Sequence, residues 1–311
     1  MTSPQVADSR EESGLLLIRG LGHSGTTLLD LALGSHPQIL GLGEVARLVR
    51  RPERGEEGKG PARLRGDGRF ERRCTCGAVA ADCPIWGEYL DWLRLHDHLS
   101  DLEKFMALIG RAQTPERVGG SDAPAAPLRW VVESYQADVS LPGQLKQALH
   151  PRPVKVILLV RDVRSWVHSE ARRGKSRRHY AALRAVLRWW RVNRRLEREL
   201  KDSGCDLLTL GYEELALAPA ETFQLLCAWL GLNYDKRMLT PGAATRSHIV
   251  SGNRMRYDRE RTSRISYDGT WLSSSSLVMR AALAWPPLAA MNRRLVYGQM
   301  LLGQSWPHRP S

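Results

Sequence analysis

The sequence lacks an apolar run long enough to cross a bilayer. Its longest candidate, Leu277 to Met291, is broken by Arg280 and by the Pro286-Pro287 pair, short of the about 20 apolar residues a membrane helix needs. The first residues, MTSPQVADSREES, do not have the basic, apolar, small-residue order of an export signal. Cysteine is sparse: Cys74, Cys76, Cys83, Cys205 and Cys227 make an odd set of five with no export signal ahead of it. Acidic residues are also scarce, 33 against 46 Lys and Arg, which leaves a formal charge of +13. Together these absences predict a cytoplasmic protein with reduced thiols and no transmembrane segment. The charge points to anionic partners: nucleotides, nucleic acid or a membrane surface. No internal repeat is visible, and 311 residues at 42% hydrophobic content suffice for one large domain.

One further absence is local. The segment Gly20-Leu-Gly-His-Ser-Gly-Thr-Thr27 has the frame of a nucleotide phosphate loop, G-x-x-x-x-G-K-[ST], without its lysine. Thr26 stands in the lysine position. The context is right for such a loop. Leu15 to Ile18 is a continuous apolar run that predicts a buried strand, and Thr27 to Leu33 predicts a helix ended by Gly34 and Pro37. Backbone N–H groups at a glycine turn and a helix N-terminus form an anion nest. The hydroxyls of Ser24, Thr26 and Thr27 and the ring of His23 add donors. The lysine that bridges β- and γ-phosphates is missing. So is a convincing Mg²⁺ carboxylate at the end of a second strand; Asp162, flanked by arginines, reads as structural. Metal-free transfer from a phosphate-anchored donor fits better than phosphoryl transfer.

Elsewhere the chain alternates strands and helices. Trp130–Val132, Val154–Val160 and Asp206–Leu210 read as strands. The stretch from Tyr180 to Leu200 and that from Glu221 to Gly231 read as helices. This predicts a three-layer, phosphate-loop-type α/β fold: a central, mainly parallel sheet flanked by helices. Residues 1–13 read as a disordered tail and 14–311 as one domain. A Gly-, Pro- and charge-rich, Cys-containing insertion spans about 47–125. Its first part, Arg47 to Arg73, is expected to be mobile surface, and Trp86 to Ile109 an amphipathic stretch.

The second candidate constellation is VILLVRDVRSWVHSE. A strand delivers Arg161, and Ser169 follows eight positions later inside the next helix. A guanidinium and a hydroxyl leaving a strand end together suit a separate phosphate. With this pair beside the loop, the chain resembles the sulfotransferases that use 3′-phosphoadenosine 5′-phosphosulfate (PAPS), in their bacterial and tyrosylprotein-type branch. In that family an [K/R]-S-G-T-T-L loop holds the 5′-phosphosulfate and an R-[D/N]-P-x-D-x-x-x-S segment holds the 3′-phosphate. Here Arg161 and Ser169 keep the spacing, while Val163 and Ser165 replace the proline and the aspartate. GSHPQILGLGEV, CTCGAVAADCPIW, YEEL and HIVSGNRMRY…DGTW resemble further family segments, so the likeness runs from about Leu15 to Trp271.

The resemblance implies sulfuryl transfer from PAPS to a hydroxyl or amine of an acceptor, whether small molecule, glycan, lipid or peptide. It implies Gly22, His23, Ser24, Gly25, Thr26 and Thr27 around the 5′ end, with Arg161 and Ser169 at the 3′-phosphate. Tyr212, Asn253, Arg254 and Arg256 belong to the nucleotide-closing segments. Glu44 is the candidate base and His23 the candidate stabiliser of the leaving oxygen. The small-molecule branch uses a middle-segment His instead, and none occurs between residues 121 and 149. Two departures stand out. His23 replaces a Lys or Arg, and VVESYQ puts Gln136 where many relatives carry a lysine. Arg254 and Arg256 are the candidate replacement cations.

Two other functions match parts of the sequence: a phosphate-loop small-molecule kinase and a non-catalytic nucleic-acid-binding protein. The missing lysine and Mg²⁺ carboxylate speak against the first. The arginine-rich helix from Arg184 to Arg198 lacks an aromatic stacking platform, which speaks against the second. Cys74, Cys76 and Cys83, with His96 and His98 downstream, depart from zinc-knuckle spacing. They are expected to be free or transiently paired thiols, and no metal is expected.

Overall fold

A computed structural model describes residues 13–49, 69–112, 127–136, 138–171 and 178–298. Five strands form one sheet: β1 (Gly14–Gly20), β2 (Ile39–Gly41), β3 (Trp130–Glu133), β4 (Val154–Val160) and β5 (Asp206–Gly211). Their order is β2-β3-β1-β4-β5 and every pairing is parallel. The principal helices are α1 (Thr26–Leu33), α2 (Gly87–His96), α3 (Asp101–Ala112), α4 (Leu141–Ala148), α5 (Val163–Ala171), α6 (Arg178–Asp202), α7 (Tyr212–Leu217), α8 (Pro219–Leu230) and α9 (Pro286–Val296).

The strands read as unbroken apolar runs because both faces of the sheet are covered. Successive side chains point to opposite faces. Leu15 and Leu17 of β1, with Val156 and Leu158 of β4, therefore pack on one side, among residues of α2, α3 and α6. Leu16, Ile18, Ile157 and Leu159 pack on the other, among residues of α1, α7 and α8. This is the three-layer α/β architecture the sequence predicts. The one strand missed by sequence reading is β2, whose three residues are too few to show a period.

The chain leaves β1 toward β2 on one side and leaves β4 toward β5 on the other. The carboxyl ends of β1 and β4 are therefore the topological switch point, where an open parallel sheet forms a crevice. Both candidate phosphate segments begin there: the loop after Gly20 and Arg161 after Val160.

Residues 50–68 and 113–126 lie outside the described residues, as do residues 1–12 of the expected tail. The described ends of the stretch expected as mobile surface, and the amphipathic stretch after it, pack into the body. Leu48, Val49, Phe70, Trp86, Tyr89, Leu93, Phe105 and Leu108 belong to the same buried cluster as β1 and β4. The single amphipathic stretch expected over 86–109 is two helices, α2 and α3. Buried Lys104 ties them to the body: its ammonium donates to the Val49 carbonyl at 3.1 Å and to Asp97 at 3.2 Å.

Candidate active site

The phosphate loop is built as its sequence requires. His23 and Gly25 have φ of 73° and 98°, in the left-handed region. Gly25 N-caps α1, and its carbonyl accepts the Leu29 N–H at 3.0 Å. The Tyr212 ring closes over it: a Cβ at Gly25 would sit 2.7 Å from Tyr212 Cδ2. Two donors fix the loop from α5 and the end of β4. Trp166 Nε1 donates to the Gly22 carbonyl at 2.8 Å, and Arg161 donates to the His23 carbonyl at 3.3 Å.

A cavity of about 1320 Å³ opens at this switch point. Gly22, His23, Gly25, Thr26 and Thr27 of the loop line it together with Arg161, Ser169 and Tyr212, and Glu44, Asn253 and Arg254 also face it. Ser24 and Arg256 do not line it. Ser24 is buried, with its N–H bonded to Leu21. The Arg256 guanidinium donates to the carbonyls of Val250, Gly252 and Asn253 and so holds its own loop together. Of the two candidate replacement cations, Arg254 is therefore the one at the cavity.

Glu44 is buried, 3% exposed, yet reaches the cavity. Its backbone is set by the N–H donating to the Ser251 carbonyl at 2.9 Å. Its carboxylate accepts from Gln136 Nε2 at 2.9 Å and pairs with Arg47 at 3.0 Å. Burial raises the Glu44 pKa above the ordinary glutamate value, against the opposing pull of Arg47 and then Arg256. The same Gln136 amide donates to Thr26 Oγ1 at 3.2 Å, so it joins the base candidate to the phosphate loop. A buried ion pair braces the turn just before Gln136. Arg19 meets Glu133 at 2.6 Å, both side chains fully buried, and Glu133 accepts the Tyr135 N–H at 2.8 Å.

Arg161 is held on four sides. It donates to Ser165 Oγ at 2.7 Å and to the His23 carbonyl, pairs with Asp268 at 2.9 Å, and lies over the Tyr212 ring at 4.8 Å. Ser165 and Ser169 are four residues apart on α5, hence on one face. Asp162 is structural as expected: buried, it accepts from Arg164, Asn292 and Tyr297.

Sequence reading did not single out Asp268, Arg188, Arg195, Arg261 or Arg264, all of which line the cavity. The α6 pair had a readable signal, since Arg188 and Arg195 are seven residues apart on one helix face. Among the described residues seven arginines face the cavity, against three carboxylates. The cysteines are free thiols, as expected, but the histidine beside them is His248 and neither His96 nor His98. Cys74, Cys76 and Cys83 lie together with His248, while His96 stacks on Trp92 with ring centroids 4.4 Å apart. None of the five cysteines is in a disulfide.

A parallel sheet with a phosphate loop and a basic crevice at its switch point defines a phosphate-loop α/β protein. The sequence model of the sulfotransferase family matches residues 16–236, and the chain belongs to that family. Sulfuryl transfer is its general activity. Among solved structures the chain is similar to the sulfotransferase domain from the Synechococcus PCC 7002 olefin synthase. The identity is 16% and the TM-score 0.49, with 99% of this chain and 94% of that one covered. It is also similar to the sulfotransferase domain from the curacin biosynthetic pathway. Here identity is 13% and TM-score 0.46, with 88% and 96% covered. No curated protein matches. No helix among the described residues is long and apolar enough to cross a membrane.

Proposed function

We propose that the chain transfers the sulfuryl group of PAPS to a hydroxyl or amine of an acceptor, with Glu44 as the base. The observation that carries this reading is a basic cavity shared by the candidate groups. It joins the lysine-free phosphate loop, the Arg161–Ser169 pair and a buried carboxylate. Its volume exceeds the roughly 300–1,000 Å³ of ordinary ligand pockets, which leaves room for a nucleotide and an acceptor together. The excess of arginine over carboxylate suits a polyanionic donor.

In this reading the loop's N–H groups and the Thr26 and Thr27 hydroxyls hold the 5′-phosphosulfate, and Arg161 and Ser169 hold the 3′-phosphate. The acceptor oxygen forms a bond to sulfur as the bond from sulfur to the bridging oxygen breaks. The acceptor proton passes to Glu44, and adenosine 3′,5′-bisphosphate leaves. Raised basicity by burial suits Glu44 to take that proton. Gln136 keeps its carboxylate aimed. His23 and Arg254 supply donors toward the leaving oxygen, in place of the cation that relatives carry in the loop.

Thermal stabilisation by nucleotides tests the proposal. Adenosine 3′,5′-bisphosphate is expected to raise the Tm by linkage, and adenosine 5′-phosphate to do so much less. Equal shifts would remove the 3′-phosphate site. Transfer of ³⁵S from labelled PAPS into an extract of the source organism would then identify the acceptor.

A further inference from the structure

Three cysteines of one short segment and a histidine 165 positions beyond the last of them converge in the fold. The ligand atoms of Cys74, Cys76, Cys83 and His248 all lie within 4.8 Å of one another. Cys74 and Cys83 sulfurs are 3.6 Å apart and those of Cys76 and Cys83 are 3.9 Å apart. His248 Nδ1 is 3.2 Å from the Cys83 sulfur and 3.8 Å from that of Cys74. A tetrahedral zinc with Zn–S of about 2.3 Å and Zn–N of about 2.0 Å sets S···S edges near 3.8 Å and S···N edges near 3.5 Å. A disulfide would need about 2.05 Å, and it would use only two of the four groups.

From this geometry we infer that Cys74, Cys76, Cys83 and His248 bind one structural zinc ion. Three thiolates and an imidazole are the chemistry zinc selects, and four protein ligands leave no open coordination position.

The backbone around the site is built to present these groups. Cys74 N–H donates to the Ala78 carbonyl at 2.8 Å and Gly77 N–H to the Cys74 carbonyl at 3.0 Å. Gly77 turns at a φ of 97° with open space around it, so the turn itself calls for glycine. Cys83 follows a 3₁₀ turn over Ala80–Asp82, and its carbonyl receives the Gly87 N–H that opens α2. His248 is gripped on both sides. Its N–H donates to the Gly41 carbonyl at 2.7 Å, its carbonyl accepts Trp86 Nε1 at 2.6 Å, and the next N–H, of Ile249, reaches Thr75 Oγ1 at 2.9 Å. Such support is what holds metal ligands at coordinating geometry.

The ion would staple the 70–86 segment to the strap that carries His248. That strap goes on to the cavity: the Ser251 carbonyl accepts the Glu44 N–H, and Asn253 N–H donates to Thr27 Oγ1 at 3.3 Å. The zinc therefore fixes the wall that positions both the carboxylate and the phosphate loop.

The test is metal analysis of the untagged full chain purified under reducing conditions without added metal. One zinc per chain is expected. The chain reconstituted with Co(II) should show near-ultraviolet sulfur-to-cobalt charge transfer and intense visible bands of tetrahedral cobalt. Cys83→Ser and His248→Ala should each weaken zinc by more than the about 10- to 100-fold seen for loss of an outer-shell partner, while Cys205→Ser retains it. A chain that lacks zinc, binds cobalt only with the pale octahedral spectrum, or joins Cys74 to Cys83 in a disulfide overturns the inference. So does full zinc retention by the Cys83 and His248 variants. Should those variants fail to fold, the zinc stoichiometry and cobalt spectrum of the unaltered chain decide between a bound ion and free thiols.

Discussion

Arg161 and Asp268 form an ion pair at 2.9 Å at the point where the proposed 3′-phosphate must bind. Asp268 titrates below its ordinary value. Burial raises it, but the Thr270 and Arg161 hydrogen bonds outweigh that effect. A phosphate seeking Arg161 therefore competes with a carboxylate and is repelled by it. Asp268→Asn removes the charge and leaves an oxygen for the Thr270 hydroxyl. It is expected to tighten adenosine 3′,5′-bisphosphate by roughly three- to tenfold, about 1 kcal/mol for a half-exposed pair. Calorimetric titration measures this, and unchanged or weaker binding would refute the competition.

Glu44→Gln separates catalysis from binding. The variant keeps a group able to pair with Gln136 but takes no proton. Turnover at saturating PAPS is expected to fall by about 10²- to 10⁴-fold, with nucleotide affinity unchanged. In the unaltered protein the acid limb of kcat/KM should lie above the ordinary glutamate value, because burial dominates at Glu44. Arg47→Ala removes its largest opposing influence and should move that limb to higher pH. A limb that stays in place would assign it to another group.

How much of this was legible depends on the range of the interactions. β1, α1 and β4 were readable because each carries its own signal: an apolar run, a glycine turn, a helical period. The phosphate loop and the Arg161–Ser169 spacing were local as well. Asp268 could not be assigned a partner, since it meets Arg161 across 107 positions of chain. His248 joins Cys83 across 165. No spacing rule predicts such pairs; the parallel sheet and its return strap create them. The polar, glycine-rich stretch around it hid Phe70, which joins Trp86 and Phe105 of the amphipathic stretch in the main core.

Asp30 supplies a pH test of the fold beneath the site. It is fully buried and accepts from Ser134 Oγ at 2.7 Å and the Gly43 N–H at 3.1 Å. Burial outweighs these bonds and pushes its pKa up to about 7. The folded chain thus binds this proton more tightly than the unfolded chain. The resulting stability is fully present below the ordinary aspartate value and is lost as pH rises through about 7. Between about pH 5.5 and 8 the unaltered protein should lose on the order of 1–2 kcal/mol relative to Asp30→Asn. Denaturant titrations at the two pH values check the difference. Glu213, pushed by burial to about 7, has the same sign and is common to both proteins.

The contact between Gly25 and the Tyr212 ring can be isolated by comparing two glycines. Gly25 caps the start of α1 and Gly231 the end of α8, both with positive φ, 98° and 69°. An added Cβ at Gly231 meets nothing within 4 Å, whereas at Gly25 it meets Tyr212 at 2.7 Å. Gly231→Ala should cost only the left-handed strain of about 1–2 kcal/mol. Gly25→Ala adds a steric clash that pushes the ring off Arg161 and opens the anion nest. It should lower the Tm further and abolish stabilisation by adenosine 3′,5′-bisphosphate, whereas Gly231→Ala keeps that response in full. Equal thermal losses with nucleotide response intact in both would show that the Tyr212 contact does not shape the loop.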